Sequence, residues 1–151
     1  MDDGAAMPDV TVTAQDGAGI RLRDLALPAV IYFYPKDDTS GCTREAQDFT
    51  ALADDYAKAG VTVIGLSKDP PASHAKFVAK HDLRVTLASD ESGAAAEAFG
   101  VWGEKQLYGR TYMGLERATF LFGADGTLAR AWRKVRVAGH AQAVLEATRA
   151  L

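Results

Sequence analysis

The chain of 151 residues holds a single cysteine, so it cannot close a disulfide on itself, and a C-x-x-C disulfide oxidoreductase is excluded. No apolar run approaches the ~20 residues that span a bilayer. Positive charge is not in excess: 17 Lys and Arg stand against 20 Asp and Glu, a net charge of -3. The basic footprint of a nucleic-acid binder is therefore missing. There is no internal repeat, no low-complexity tract and no long linker. Met1-Asp2-Asp3-Gly4 opens the chain without the apolar core of a secretory signal. Together with the lack of disulfides, this favours a cytoplasmic protein.

What is present suits one folded unit over residues 1–151. Apolar residues make up 48% and charged residues 25%, an ordinary globular mix. A domain of this length buries ~70% of the surface its unfolded chain exposes, so it needs neither a staple nor a metal. Val10 to Thr13 and Ile20 to Leu22 alternate around Asp16-Gly17 and predict a short N-terminal hairpin. Ala29 to Tyr34 (AVIYFY) is continuous and aromatic, as in a strand covered on both faces. Pro35 ends it, and residues 36–41 (KDDTSG) form a turn.

A helical pattern starts at Cys42, with Phe49, Leu52, Ala53 and Tyr56 along one face and Gly60 as its stop. Val61 to Leu66 is a second buried strand. Pro70-Pro71 opens a helix that runs to about Asp82. A short strand at Val85 to Ala88 and an alanine-rich helix at Ser92 to Phe99 follow. Gly100 to Leu115 holds four glycines without a clear period and reads as a long loop. Arg117 to Phe122 and Thr127 to Trp132 flank Gly-Ala-Asp-Gly as a hairpin, and a helix closes the chain from Gly139. This order implies an α/β fold with a central mixed β-sheet and helices on both faces. A thioredoxin-like fold matches it.

The chemistry gathers where the buried strand gives way to the first long helix. Pro35, Thr39 and Cys42 stand in the spacing P-x3-T-x2-C. Cys42 then lies in the first helical turn, where free backbone N–H groups and the helix dipole stabilise a thiolate. The thiolate is the nucleophilic form of cysteine. Thr39 can donate its hydroxyl to the thiolate or to an incoming peroxide, and Pro35 would wall off water. A cation must compensate the sulfur and the leaving oxyanion. Arg117, starting a strand beside the glycine-containing segment, is the best candidate. Glu45, three residues after Cys42, could hold that arginine by a charge-assisted hydrogen bond.

Residues 32–49, YFYPKDDTSGCTREAQDF, resemble the active-site stretch of peroxiredoxins, and most nearly that of the bacterioferritin comigratory protein (Q-type) subfamily. FGVWGEK at 99–105 and ERATFLFGADG at 116–126 extend the likeness. The resemblance implies that Cys42 is the peroxidatic cysteine, that Thr39 and Pro35 are its motif partners and Arg117 the essential arginine, with Glu45 and Gly41 in support. It implies no cofactor and no metal. Hydroperoxide is the expected substrate, and an external thiol, thioredoxin or glutathione with glutaredoxin, the expected reductant. The expected assembly is a monomer or weak homodimer, with no nucleic-acid or membrane partner.

Two positions depart from the subfamily. Ser40 stands where proline is common, and Gln47 where many members carry a resolving cysteine. No cysteine stands in the next helix either. The same Cys42 could serve a peroxide sensor or a redox relay. Several other features read as structure only. His74 and His81 share a helix face with Phe77 and Val78. Arg130, Arg133, Lys134 and Arg136 suit a solvated sheet edge, although a reductant could dock there. Trp102 either covers the active site or simply packs.

Overall fold

The structure, a computed structural model, describes all residues from Met1 to Leu151. Its nine strands are β1 (Thr11–Ala14), β2 (Gly19–Arg21), β3 (Ala29–Phe33), β4 (Thr62–Ser67), β5 (Thr86–Ser89), β6 (Trp102–Leu107), β7 (Arg110–Leu115), β8 (Ala118–Phe122) and β9 (Leu128–Trp132). Its helices are α1 (Ser40–Ala51), α2 (Ala53–Lys58), α3 (Pro71–His81), α4 (Ala94–Ala98) and α5 (His140–Arg149), with one 3-10 turn at Leu22–Asp24.

Seven strands form a mixed sheet in the order β2-β1-β5-β4-β3-β8-β9. The centre is parallel, β3 beside β4 and β4 beside β5, while β8 runs antiparallel to β3. The apolar run of β3 supplies both faces at once. Ala29, Ile31 and Phe33 point into one core cluster, which β8 joins with Phe120 and Phe122 and α4 with Ala95 and Ala96. Val30, Tyr32 and Tyr34 point into the other, with residues of α1, α2, α3 and α5. A continuous apolar strand is what two covered faces require. Close packing at this centre also fixes a glycine. A Cβ at Gly65 of β4 would lie 2.5 Å from the Tyr32 ring and 2.8 Å from Leu87.

The mixed sheet with helices on both faces, the N-terminal hairpin β1–β2 and the final hairpin β8–β9 agree with the sequence reading. Two details differ and a third is added. The helix that carries Cys42 begins at Ser40, with Thr39 as its cap residue, and breaks at Leu52 into α1 and α2. Gly100 to Leu115 is not a long loop: it holds β6 and β7, an antiparallel pair outside the main sheet. Tyr108 and Gly109 join them, both at positive φ (52° and 75°), as a two-residue hairpin turn requires. Finally, the helix face that His74 shares with Phe77 turns into the core, where both are buried, a burial that the sequence reading did not specify.

Candidate active site

Cys42 sits in the first turn of α1 with only 2% of its surface exposed. β3 ends at the centre of the sheet, and the turn from Pro35 to Thr39 carries the chain from there into the helix. β8, paired to β3 on the other side, brings Arg117 to the same end of the sheet: Arg117 immediately precedes Ala118, which pairs with Phe33.

The guanidinium reaches both residues expected beside it. Arg117 Nη2 donates to Cys42 Sγ at 3.3 Å, and Arg117 Nη1 donates to Glu45 Oε1 at 2.7 Å. Glu45 is 1% exposed and its Oε2 has no hydrogen-bond partner. Burial pushes its carboxyl up to about 7, while the charge and hydrogen bond of Arg117 pull the other way. Burial works against the charge on Arg117 as well, but its interactions with Glu45 and Cys42 outweigh it and raise the guanidinium above its ordinary value. Gly41 leaves the approach uncrowded: a Cβ there would stand 3.2 Å from Arg117 Nη2, a tight contact.

Two expected partners behave differently. The hydroxyl of Thr39 donates to Lys36 O at 2.8 Å rather than to the sulfur. Its proton is committed to the turn, so its oxygen is left as an acceptor. Pro35 is itself exposed. The sulfur is hidden instead by the apolar cluster that contains Cys42, Tyr32, Tyr34, Ala46 and Phe49.

The turn that presents Cys42 is tied to α3 by groups whose sequence gave no signal. Asp37, 7% exposed, accepts from Tyr34 Oη at 2.5 Å and Ser73 Oγ at 2.7 Å, and lies 2.8 Å from His74 Nδ1. Its own N–H donates to Asp69 Oδ2 at 2.9 Å. Burial disfavours the Asp37 charge, but bonds from His74, Tyr34 and Ser73 hold the carboxyl below its ordinary range. Next to it, Asp38 (φ 58°) meets Lys80 at 2.6 Å and His81 at 2.8 Å. Behind Arg117, Thr119 Oγ1 lies 2.7 Å from His140 Nε2. Burial and the charge of Arg117 press His140 down to about 4, so it stays neutral at pH 7.

Trp102 stands under Lys68, whose Nζ is 4.4 Å from the ring centroid, and lines a groove together with Arg117. Arg133 pairs with Glu116, and Arg130 lies over the ring of Trp132. No three His, Cys, Asp or Glu side chains are grouped to hold a metal ion, and no helix is long and apolar enough to cross a membrane.

Comparison with known proteins gives this geometry a context. The AhpC/TSA family matches residues 4–131. Peroxiredoxin Bcp of Xanthomonas campestris pv. campestris is 50% identical over 121 residues, covering 80% of this chain and 76% of that protein. Peroxiredoxin Bcp of Bacillus subtilis is 41% identical over 144 residues, covering 95% and 92%. Among solved structures, the Xanthomonas campestris bacterioferritin comigratory protein, described for its alkyl peroxide reduction activity, superposes with a TM-score of 0.91 at 44% identity, covering 99% of this chain and 98% of that one. With its thioredoxin-like fold, the chain belongs to the AhpC/TSA family as a peroxiredoxin of the Bcp/PrxQ type, a thiol-dependent peroxidase.

Proposed function

We propose that this chain reduces hydrogen peroxide and alkyl hydroperoxides through Cys42 alone, as a one-cysteine peroxiredoxin whose oxidised sulfur is reduced by an external thiol. The observation that carries the reading is the single guanidinium of Arg117, shared between Cys42 Sγ at 3.3 Å and the buried carboxylate of Glu45 at 2.7 Å. A fixed cation beside the sulfur stabilises the thiolate before attack and the oxyanion that leaves.

In the reaction the thiolate attacks the terminal peroxide oxygen. The S–O bond forms as the O–O bond breaks, the sulfur is oxidised to sulfenic acid, and the leaving alkoxide or hydroxide takes a proton to become alcohol or water. Thr39 Oγ1, with its own proton on Lys36 O, accepts a hydrogen bond from the peroxide O–H and orients it. Gly41 leaves room for the guanidinium, and Pro35 closes the strand ahead of the turn. Because no second thiol exists in the chain, the sulfenic acid must meet a thiol from outside, a small thiol or a dithiol protein such as thioredoxin. Such reductants fit a cytoplasmic setting and a chain acting as one unit, monomer or weak homodimer.

The test is peroxide turnover by Cys42→Ser with an excess of thiol. The substitution exchanges sulfur for oxygen at a buried site and is expected to leave the fold intact. Turnover should fall below about a hundredth of wild type, the scale on which loss of a nucleophile is felt. Activity above that would remove Cys42 from the centre of the reaction.

A further inference from the structure

Arg117, which bonds the thiol of Cys42, also lines a groove of about 460 Å³. Trp102, Gly103 and Lys105 of the β6–β7 hairpin form one side, and Glu116 and Lys134 the other. We infer that this groove binds the reductant as a small thiol bearing carboxylates, of the glutathione class, and holds its carboxylate charge on Lys134 and Lys105. The inference rests on the external-thiol reading above and names the chemistry of the thiol.

Charge is the first argument. The chain is acidic overall, with a net charge of -3, yet the groove wall carries three cations, Lys105, Arg117 and Lys134, against Glu104 and Glu116. Glu116 is already neutralised. Arg133 donates to both of its oxygens at 2.7 and 3.0 Å, and the Lys134 N–H adds a third bond at 2.9 Å. The Lys134 ammonium forms no ion pair, and Lys105 Nζ bonds only the neutral carbonyl of Leu115 at 2.8 Å. Two ammonium groups are thus left for an anion, flanking a guanidinium that touches the reactive sulfur.

Backbone geometry is the second. Lys134 adopts a left-handed conformation (φ 48°), one that a non-glycine residue seldom takes. It is held there by its own N–H to Glu116 and by the Val135 N–H, which donates to Arg117 O at 2.9 Å. These bonds fix the base of the Lys134 side chain next to the catalytic arginine. Access is the third. Cys42 exposes 2% of its surface, so a broad protein surface reaches the sulfur only if the start of α1 opens. A thiol of a few residues, steered to Arg117, asks for much less movement.

The step balances with two equivalents of the thiol. The first attacks the sulfenic sulfur: an S–S bond forms, the S–O bond breaks, and the oxygen leaves as water with the two protons of the thiol and the sulfenic acid. The second attacks the mixed disulfide, releases Cys42 as thiolate and leaves the external disulfide as the oxidised product.

The experiment oxidises the full chain with one equivalent of peroxide and follows, by rapid quench and intact mass, conversion of the sulfenic acid by glutathione or by uncharged 2-mercaptoethanol. The ratio of the two rate constants is the readout, since it cancels any general loss of folded protein. In Lys134→Glu the ratio should fall about tenfold and lose its dependence on salt, as for a rim charge that steers an anion. Lys134→Arg should restore it. An unchanged ratio in Lys134→Glu overturns the inference, as does an unchanged ratio accompanied by a higher KM for an alkyl hydroperoxide, which would assign the groove to substrate. Failure of both thiols to resolve the wild-type sulfenic acid would overturn external recycling by small thiols itself, and the groove's role with it.

Discussion

Arg117 Nη2 and Cys42 Sγ lie 3.3 Å apart although 75 positions separate them in the chain. Only the pairing of β8 with β3 makes them neighbours. Removing the guanidinium should therefore slow attack on peroxide without unfolding the sheet. A lost charged hydrogen bond of ~1.5–3 kcal/mol corresponds to roughly ten- to hundredfold in rate if it is fully expressed in the transition state. The second-order rate constant of Arg117→Ala, measured by stopped flow, should fall in that range. Arg117→Lys should recover only part of it, because an ammonium cannot hold Sγ and Oε1 with two separate nitrogens.

Gly41→Ala separates stability from chemistry. Alanine in a helix is worth about 1 kcal/mol over glycine, so the variant should resist urea at least as well as wild type. Its Cβ would nevertheless press on Arg117 Nη2 at 3.2 Å and push the guanidinium off the sulfur. A rate loss of roughly three- to tenfold is expected from a misplacement of a few tenths of an ångström. An unchanged rate with improved stability would show that the arginine accommodates the methyl group.

The buried carboxyl of Glu45 should leave a trace in stability against pH. Its folded value of about 7 lies above the ordinary 4.5, so between these limits the folded chain holds a proton that the unfolded chain has released. Stability from this group is present in full below the ordinary value and is lost as pH rises through about 7. Urea unfolding of wild type and Glu45→Gln across that window checks it: the advantage of wild type over the variant should shrink as pH rises. A constant difference would mean that Glu45 is ionised throughout.

How much of this could be read from residues follows from where the constraints lie. β3 was legible because six consecutive apolar residues admit little else, and Cys42 and Glu45 because a helix start and helical spacing put them together. Arg117 was singled out by its place at a strand start and by the family resemblance, since the β8–β3 pairing that brings it to Cys42 is long-range. The β6–β7 hairpin was not. Trp102, Leu107, Tyr108, Tyr112 and Met113 are all exposed, so no buried face imposes alternation on either strand, and the turn is Tyr-Gly rather than the Asn-Gly or Asp-Gly that marks a hairpin. The Tyr34–Asp37–His74 network was hidden for another reason. His74 lies 40 positions from Tyr34, and nothing in the pattern of α3 distinguishes a histidine that docks on the active-site turn from one that faces solvent.

The central claim is that Cys42 is the only redox centre and that its oxidised form waits for a thiol from outside. One equivalent of peroxide without reductant, followed by dimedone and by intact mass under non-reducing conditions, tests it most directly. The expected product is a monomer that has gained one oxygen on Cys42 and is trapped by dimedone, and that passes to sulfinic acid when peroxide is in excess. Quantitative formation of a dimer linked through two Cys42 residues would contradict it, since the chain would then be its own resolving partner.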